Sequence, residues 1–301
     1  MEQRKGLWLA VAAYSFWGFM PIFWKALDSV PALELLAHRI LWSVPILFLI
    51  IIGRKHLGVL LASIRTPGTA ATALAGGVLL SINWGVFVWA VTSNHIVEAS
   101  LGYFINPLVS VGLGVIVLRE HLSPAQRIAV GIAVVGVTGM TILSGVPPWI
   151  SLILAFSFGT YGLLKKRTTA APPIEGLFME SSFVAMPALL YIVFLAGDGT
   201  GALGSSVTTT LLLVTAGAVT VFPLVLFGAS AKRIPLSTLG ILQYIAPILQ
   251  LLLGVVIYGE VVSGGEWFGF TLVWIALAIY TFDNARMIKS SKRSTSAEDL
   301  A

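Results

Sequence analysis

Ten apolar stretches, read at 7–27, 33–52, 71–93, 97–118, 125–144, 147–164, 177–196, 210–231, 236–258 and 266–285, follow one another along the chain. Each is near the length of about 20 residues that a helix needs to cross roughly 30 Å of hydrocarbon. Lipid offers no hydrogen bonds, so a segment crossing it must satisfy its own backbone, and each stretch is expected to be an α-helix. Composition points the same way. Of 301 residues 57% are apolar and 10% are charged, whereas soluble domains carry about 25% charged residues. No segment outside the stretches is long enough for a soluble catalytic domain, so any function is expected inside the membrane. The absence of cysteine excludes disulfides, thiolate metal sites and cysteine nucleophiles.

The basic residues alternate with the spans. If the N-terminus is cytoplasmic, every second connection carries them: Arg4 and Lys5; Arg54, Lys55 and Arg65; Arg119 and Arg127; Lys165, Lys166 and Arg167; Lys232 and Arg233; Arg286, Lys289, Lys292 and Arg293. These are 16 of the 18 lysines and arginines, and the intervening connections hold none. Basic loops stay inside, so both termini are expected in the cytoplasm. The net charge of +5 is then an orientation signal and not a nucleic-acid surface. The first apolar run continues to about residue 27 without a small-residue cleavage pattern, so it reads as a retained helix and not a signal peptide. Residues 288–301, Ser-rich and mixed in charge, are expected to be disordered.

The chain also repeats itself. A shift of 140 residues sets Pro107 on Pro247, Gly114 on Gly254 and Glu120 on Glu260, in PLVSVGLGVIVLRE and PILQLLLGVVIYGE. A shift of 142 sets AYSF at 13–16 on AFSF at 155–158. The expected units are therefore 1–145 and 146–287, five spans each, followed by the 288–301 tail. An odd number of spans per unit inverts the second copy, which the alternating basic loops also require. The fold class expected is an all-α polytopic membrane protein of ten transmembrane helices in two inverted five-helix repeats. Inverted repeats are the architecture of secondary transporters.

The segments KGLWLAVAAYSFWGFMPIFWKAL (5–27), VPALELLAHRILWS (30–43), INWGVFVWAV (82–91), VEASLGYFINPLVSVGLG (97–114), VPPWISLILAFSFGTYGLLKKR (146–167) and LSTLGILQYIAPILQLLLGVVIYGE (236–260) resemble the EamA-type proteins. These form the ten-helix branch of the drug/metabolite transporter superfamily. The resemblance covers nearly the whole chain in order. It implies a bacterial inner-membrane permease, connected with chloramphenicol sensitivity and drug efflux, but supplies no defined substrate.

Polar residues at membrane depth are costly and tend to mark a pathway or a structural lock. Arg39 lies about 12 Å below the outer surface at 1.5 Å per residue. It would either hold a substrate carboxylate or phosphate through its planar fork, or pair with Glu34 or Glu98. Glu98 and His38 are the candidates for proton coupling. Adjacent helix positions point about 100° apart, so His38 and Arg39 are not expected to share one pocket. Lys25 reads as an interfacial amine.

Asn106 and Gln243 fall near mid-bilayer, as does Asn83, and each needs a partner or a wet cavity. With Tyr103 and Tyr244 they are expected to line a site. Tyr14 and Trp84 lie too deep for an interfacial belt and offer stacking surface for an aromatic or cationic substrate. Pro107 and Pro247 are expected to assist gating by kinking their helices. Gly76, Gly77, Gly131 and Gly136 read as close helix contacts.

An intramembrane hydrolase around Ser230 lacks a histidine base, no histidine pair has metal-ligand spacing on a helix, and no Walker sequence is present. The expectation is therefore a non-enzymatic permease without cofactor or metal, exporting a small organic metabolite or drug. An uptake or exchange carrier and a non-transporting channel or scaffold are the alternatives. The partners expected are a small-molecule substrate and the lipid bilayer, with a homodimer left open.

Overall fold

A computed structural model describes residues 2–92, 96–144, 149–168, 171–257 and 264–298, and among these the chain forms twelve α-helices and no strand. They are α1 (Glu2–Lys25), α2 (Ala32–Gly53), α3 (Leu57–Arg65), α4 (Thr69–Thr92), α5 (Ile96–Leu118), α6 (Pro124–Ser144), α7 (Trp149–Arg167), α8 (Pro173–Asp198), α9 (Val207–Ala231), α10 (Leu236–Leu242), α11 (Ile245–Val256) and α12 (Gly264–Glu298). Six of them, α1, α2, α4, α6, α8 and α9, contain described stretches long and apolar enough to cross a membrane. Large apolar side chains cover the outside of the bundle, among them Leu49, Ile116, Ile142 and Phe194. Water would disfavour such a surface and lipid tails would cover it. The chain is an all-α, multi-pass membrane protein.

Every apolar stretch of the sequence overlaps a helix, with three differences in detail. First, α3 stands in a connection expected to be a loop. Leu57, Leu60, Leu61 and Ile64 recur at the spacing of one helical face, with Val59 and Ala62 beside them. Second, the ninth stretch is two helices, α10 and α11, meeting at Gln243 and Tyr244. Pro247 has no N–H to donate, and its ring crowds the carbonyl of residue 243, one turn earlier. The junction is bridged by tighter bonds, Tyr244 N to Ile241 O and Ala246 N to Gln243 O, both 3.2 Å. Third, α12 continues to Glu298, so the segment expected to be disordered from 288 is helical that far. No glycine or proline interrupts the chain after Gly269, and a helix already nucleated extends at little cost.

The helices pack in reciprocal pairs. α1 packs on α9 and α7 on α4; α1 packs on α11 and α7 on α5; α2 packs on α9 and α8 on α4. The pairs α2–α8, α5–α10 and α6–α12 complete the bundle. One end of the bundle, the near end, gathers the start of α1 with the ends of α7 and α9. There Arg233 Nε meets Glu2 Oε2 at 2.9 Å, Lys166 Nζ donates to Ile234 O at 2.6 Å and Ser230 Oγ donates to Gly6 O at 2.8 Å. Ser230, the serine weighed above for a hydrolase, makes that packing bond with its hydroxyl.

The repeated Gly and Glu of the fourth stretch have a physical role at this end. Glu120 accepts from Leu236 N at 2.7 Å, Ser237 N at 2.9 Å and Ser237 Oγ at 2.7 Å. It thereby caps the first turn of α10 from the connection between α5 and α6, supplying acceptors and negative charge where a helix start needs them. Gly114 makes the space, since a Cβ there would stand 2.7 Å from Glu120 Oε2 and 3.0 Å from Ser237 N. Backbone contact is closest between α2 and α9, where a Cβ on Gly217 would lie 2.5 Å from the Trp42 carbonyl carbon. Gly76, Gly77 and Gly136 also sit at close contacts, whereas Gly131 has nothing within 4 Å and is no packing residue.

Two outcomes follow for thermal denaturation of the detergent-purified chain. Glu120→Ala leaves two helix-start N–H groups without their carboxylate and is expected to cost about 1–3 kcal/mol. Gly217→Val forces α2 and α9 apart and is expected to cost about 1–3 kcal/mol, while Gly131→Ala in open space gains up to about 1 kcal/mol. Equal behaviour of the two glycine variants would contradict the packing described.

Candidate functional site

A cavity of about 460 Å³ opens between both halves of the chain. α1 contributes Tyr14, Trp17, Met20, Pro21 and Trp24; α2 Arg39; α4 Asn83, Trp84 and Phe87; α5 Tyr103 and Asn106. From the second half come Phe158 of α7, Thr220 and Leu224 of α9, Gln243 at the α10–α11 break, and Ala246, Pro247 and Gln250 of α11. Trp24 ends α1 and Arg39 lies two turns into α2, so the cavity occupies the half of the bundle away from the near end.

Arg39 is its charged lining residue among those described. Nε donates to Thr220 Oγ1 at 3.0 Å, and Cζ stands 4.7 Å from the Trp24 ring and 5.1 Å from the Trp84 ring. Thr220 also donates to Ala216 O at 2.8 Å, which fixes the hydroxyl that receives Arg39. The expected pairing of Arg39 with Glu34 is not formed. Five positions along a helix turn through about 140° beyond a full circle, so the two side chains diverge. Glu34 Oε1 instead accepts from Ala202 N at 2.6 Å and stands 3.8 Å from His38 Nε2. His38 is fully buried, accepts from Trp42 Nε1 at 3.3 Å and does not line the cavity. Glu98 belongs to α5, but its side chain lies outside the described residues.

The amides take two forms. Asn83 Nδ2 donates to Leu154 O at 2.8 Å and Ser157 Oγ at 3.0 Å, joining α4 to α7. Asn106 is buried and its Oδ1 has no hydrogen-bond partner. Tyr14 Oη is likewise buried and unpartnered. Gln250 Nε2 donates to Trp17 O at 3.1 Å, tying α11 to α1. Tyr244 departs from expectation. Its ring packs with Phe104 and its hydroxyl donates to Phe104 O at 3.1 Å, so it faces the α5–α12 side and not the cavity. One helical step separates it from Gln243, the same geometry that parts His38 from Arg39. Pro247 lines the cavity, whereas Pro107 is a packing residue whose carbonyl would lie 2.8 Å from a Cβ on Gly240.

Below the cavity the bundle is packed shut. Phe227 contacts Tyr14, Trp17, Phe158 and Tyr161 with ring centroids 5.2–6.3 Å apart. Beneath that layer Tyr161 Oη donates to Glu180 Oε2 at 3.0 Å and Lys165 Nζ to Glu180 Oε1 at 2.6 Å, all buried. Gly76 leaves room for the carboxylate, as a Cβ there would stand 2.9 Å from Glu180 Oε1. Closer to the near end His56 Nδ1 lies 2.8 Å from Glu175 Oε1, and Lys232 Nζ donates to Ala171 O. Burial pushes the Lys232 ammonium below its usual range, and the Lys165 charge adds to the shift.

The Lys165–Glu180 pair was not read from the sequence, because Lys165 counted among the loop cations. The available signal was Glu180, an acid inside an apolar stretch, which demands a partner. Trp17, Phe158, Phe227 and Thr220 carried no distinguishing mark among so many apolar and small residues.

The profile of the EamA-like transporter family matches this chain twice, at residues 4–142 and 148–282. Protein RarD of Streptomyces exfoliatus is 46% identical over 293 residues, covering 97% of this chain and 92% of that protein. Protein RarD of Escherichia coli (strain K12) is 40% identical over 283 residues, covering 94% and 95%. A solved crystal structure at 22% identity matches with a TM-score of 0.71, covering 92% of this chain and 97% of the other, a likeness of fold. With the cavity, the sealed floor and these relatives together, the chain belongs to the EamA-like transporter family, as a RarD-like permease.

Proposed function

We propose that this permease is a secondary transporter that exports a small organic metabolite or drug across the bacterial inner membrane by alternating access, its two five-span halves inverted and both termini cytoplasmic. The observation that carries the reading is a cavity between the halves with packed rings and a buried ion pair beneath it toward the near end. The aromatic layer around Phe227 and the buried Lys165–Glu180 pair close the near end, which the basic residues assign to the cytoplasm. The described state is then outward-facing. The double family match and the reciprocal helix pairing support two equivalent halves that can exchange roles. A packed seal is at odds with an open channel.

Proton coupling, on this reading, runs through the His38–Glu34 pair or Glu98. Chloramphenicol is the drug nominated by the family resemblance. Cells producing the chain are expected to tolerate a higher concentration of it than cells producing Gly217→Val at matched membrane levels. No difference would remove chloramphenicol from the substrates.

Because the chain has no cysteine, a single introduced thiol reports access. Ala246→Cys, in the cavity, is expected to react from outside with a membrane-impermeant maleimide, whereas Ala10→Cys, buried below the seal, does not. Glu180→Gln strands the Lys165 charge, a change that costs about 3–5 kcal/mol when a buried pair is broken. It is expected to raise labelling of Ala10→Cys from inside and lower that of Ala246→Cys from outside. Equal outside labelling of both thiols in the parent chain, or no response to Glu180→Gln, would count against alternating access.

A further inference from the structure

We propose, resting on the transporter reading above, that the cavity selects a small organic anion. A carboxylate or similar oxyanion would be held edge-on by Arg39, with a flat apolar body against Trp17 and Phe158.

The geometry of Arg39 carries this. A guanidinium has two faces and, in its plane, five N–H donors on Nε, Nη1 and Nη2. Here the rings of Trp24 and Trp84 lie within 4.7 and 5.1 Å of Cζ, and Nε is engaged by Thr220. Nη1 and Nη2 remain, and among the described residues neither has a protein acceptor. Two parallel N–H donors in one plane match a carboxylate fork to fork. A guanidinium fixed beforehand by stacking and by Thr220 loses little freedom when it binds.

The charge balance agrees. An arginine at membrane depth is costly unless paired, and the acid on its own helix, Glu34, is spent on Ala202 N and His38. An incoming anion would neutralise the guanidinium, so the charge is a cost while the cavity is empty and an attraction when substrate enters. The Trp84 face, expected from the sequence to suit an aromatic or cationic substrate, and that of Trp24 are already used by the protein's own cation. A second cation would meet Arg39 at close range. Asn106 and Tyr14 line the same cavity, with Asn106 Oδ1 and Tyr14 Oη buried and without partners.

The test uses three compounds of one skeleton and different charge: 3-phenylpropionate, 3-phenylpropionamide and 3-phenylpropylamine. Their binding to the purified full-length chain in nanodiscs is measured by calorimetry and by quenching of tryptophan fluorescence. The carboxylate is expected to bind at least about tenfold more tightly than the amide, as charge-assisted, bidentate hydrogen bonds are stronger than neutral ones, and the amine more weakly still. Arg39→Lys is expected to lose most of the preference, because an ammonium cannot present a fork. Arg39→Gln should bind acid and amide alike.

If the amide or amine binds the parent chain as tightly as the acid, or if Arg39→Gln keeps the preference, the assignment is overturned. It is also overturned if none of the three binds. Should the variants fail to fold, the comparison within the parent chain decides alone. Outside labelling of Ala246→Cys reads the cavity independently, so a wrong substrate class is distinguishable from a wrong transporter reading.

Discussion

Hydrocarbon cannot accept or donate a hydrogen bond, and that constraint organises this molecule from its backbone to its site. It makes every crossing segment a helix and places the large apolar side chains on the outside. It also requires each polar group in the interior to find a partner. Most do: Asn83 joins α4 to α7, Gln250 joins α11 to α1, and Glu180 collects Lys165 and Tyr161. Of the buried side-chain atoms without a partner, Asn106 Oδ1 and Tyr14 Oη belong to residues that line the cavity, while Glu34 Oε2, His38 Nε2, Thr69 Oγ1 and Trp274 Nε1 lie elsewhere. Arg39 is the charged residue of that lining among those described.

The same constraint sets a paired charge apart from one in neutral surroundings. The Lys165–Glu180 pair is short, buried and joined by a tyrosine hydroxyl, and removing one partner strands the other. Among the described residues the contacts of Arg39 are neutral instead, a hydroxyl and two indole rings. Aromatic faces stabilise a cation without discharging it, so the positive potential stays available in the cavity. A carboxylate in place of Thr220 would tether the guanidinium more firmly and would also cancel its attraction for an anion.

The fold was legible in the sequence because its determinants are long and redundant. Twenty apolar residues and a proline or charge at each end survive an error of several positions, and all ten stretches lie on helices. The site was legible only as far as helical phase could be judged. Arg39, Asn83, Tyr103, Asn106 and Gln243 reach the cavity, while His38 and Tyr244, one position away from two of them, face elsewhere. A single residue rotates a side chain by about 100°, and no pattern in a uniformly apolar helix fixes that angle, since both faces are apolar. Lys165–Glu180 was hidden differently. Its partners come from separate stretches, and nothing local to either announces the other.

The two repeated prolines show how like sequences come to differ. Pro107 and Pro247 occupy corresponding places in the repeat, yet α5 runs unbroken through Pro107 while the chain breaks into α10 and α11 one turn before Pro247. Proline removes the same N–H in both helices, so the residue alone does not account for the difference. The surroundings do differ. Gly240 of α10 presses on the Pro107 carbonyl, clamping α5 against its neighbour, while Glu120 pins the start of α10 and Pro247 itself stands at the open cavity. Both helices border the cavity, α5 through Tyr103 and Asn106, so the difference lies in the clamp on Pro107 and not in access to open space.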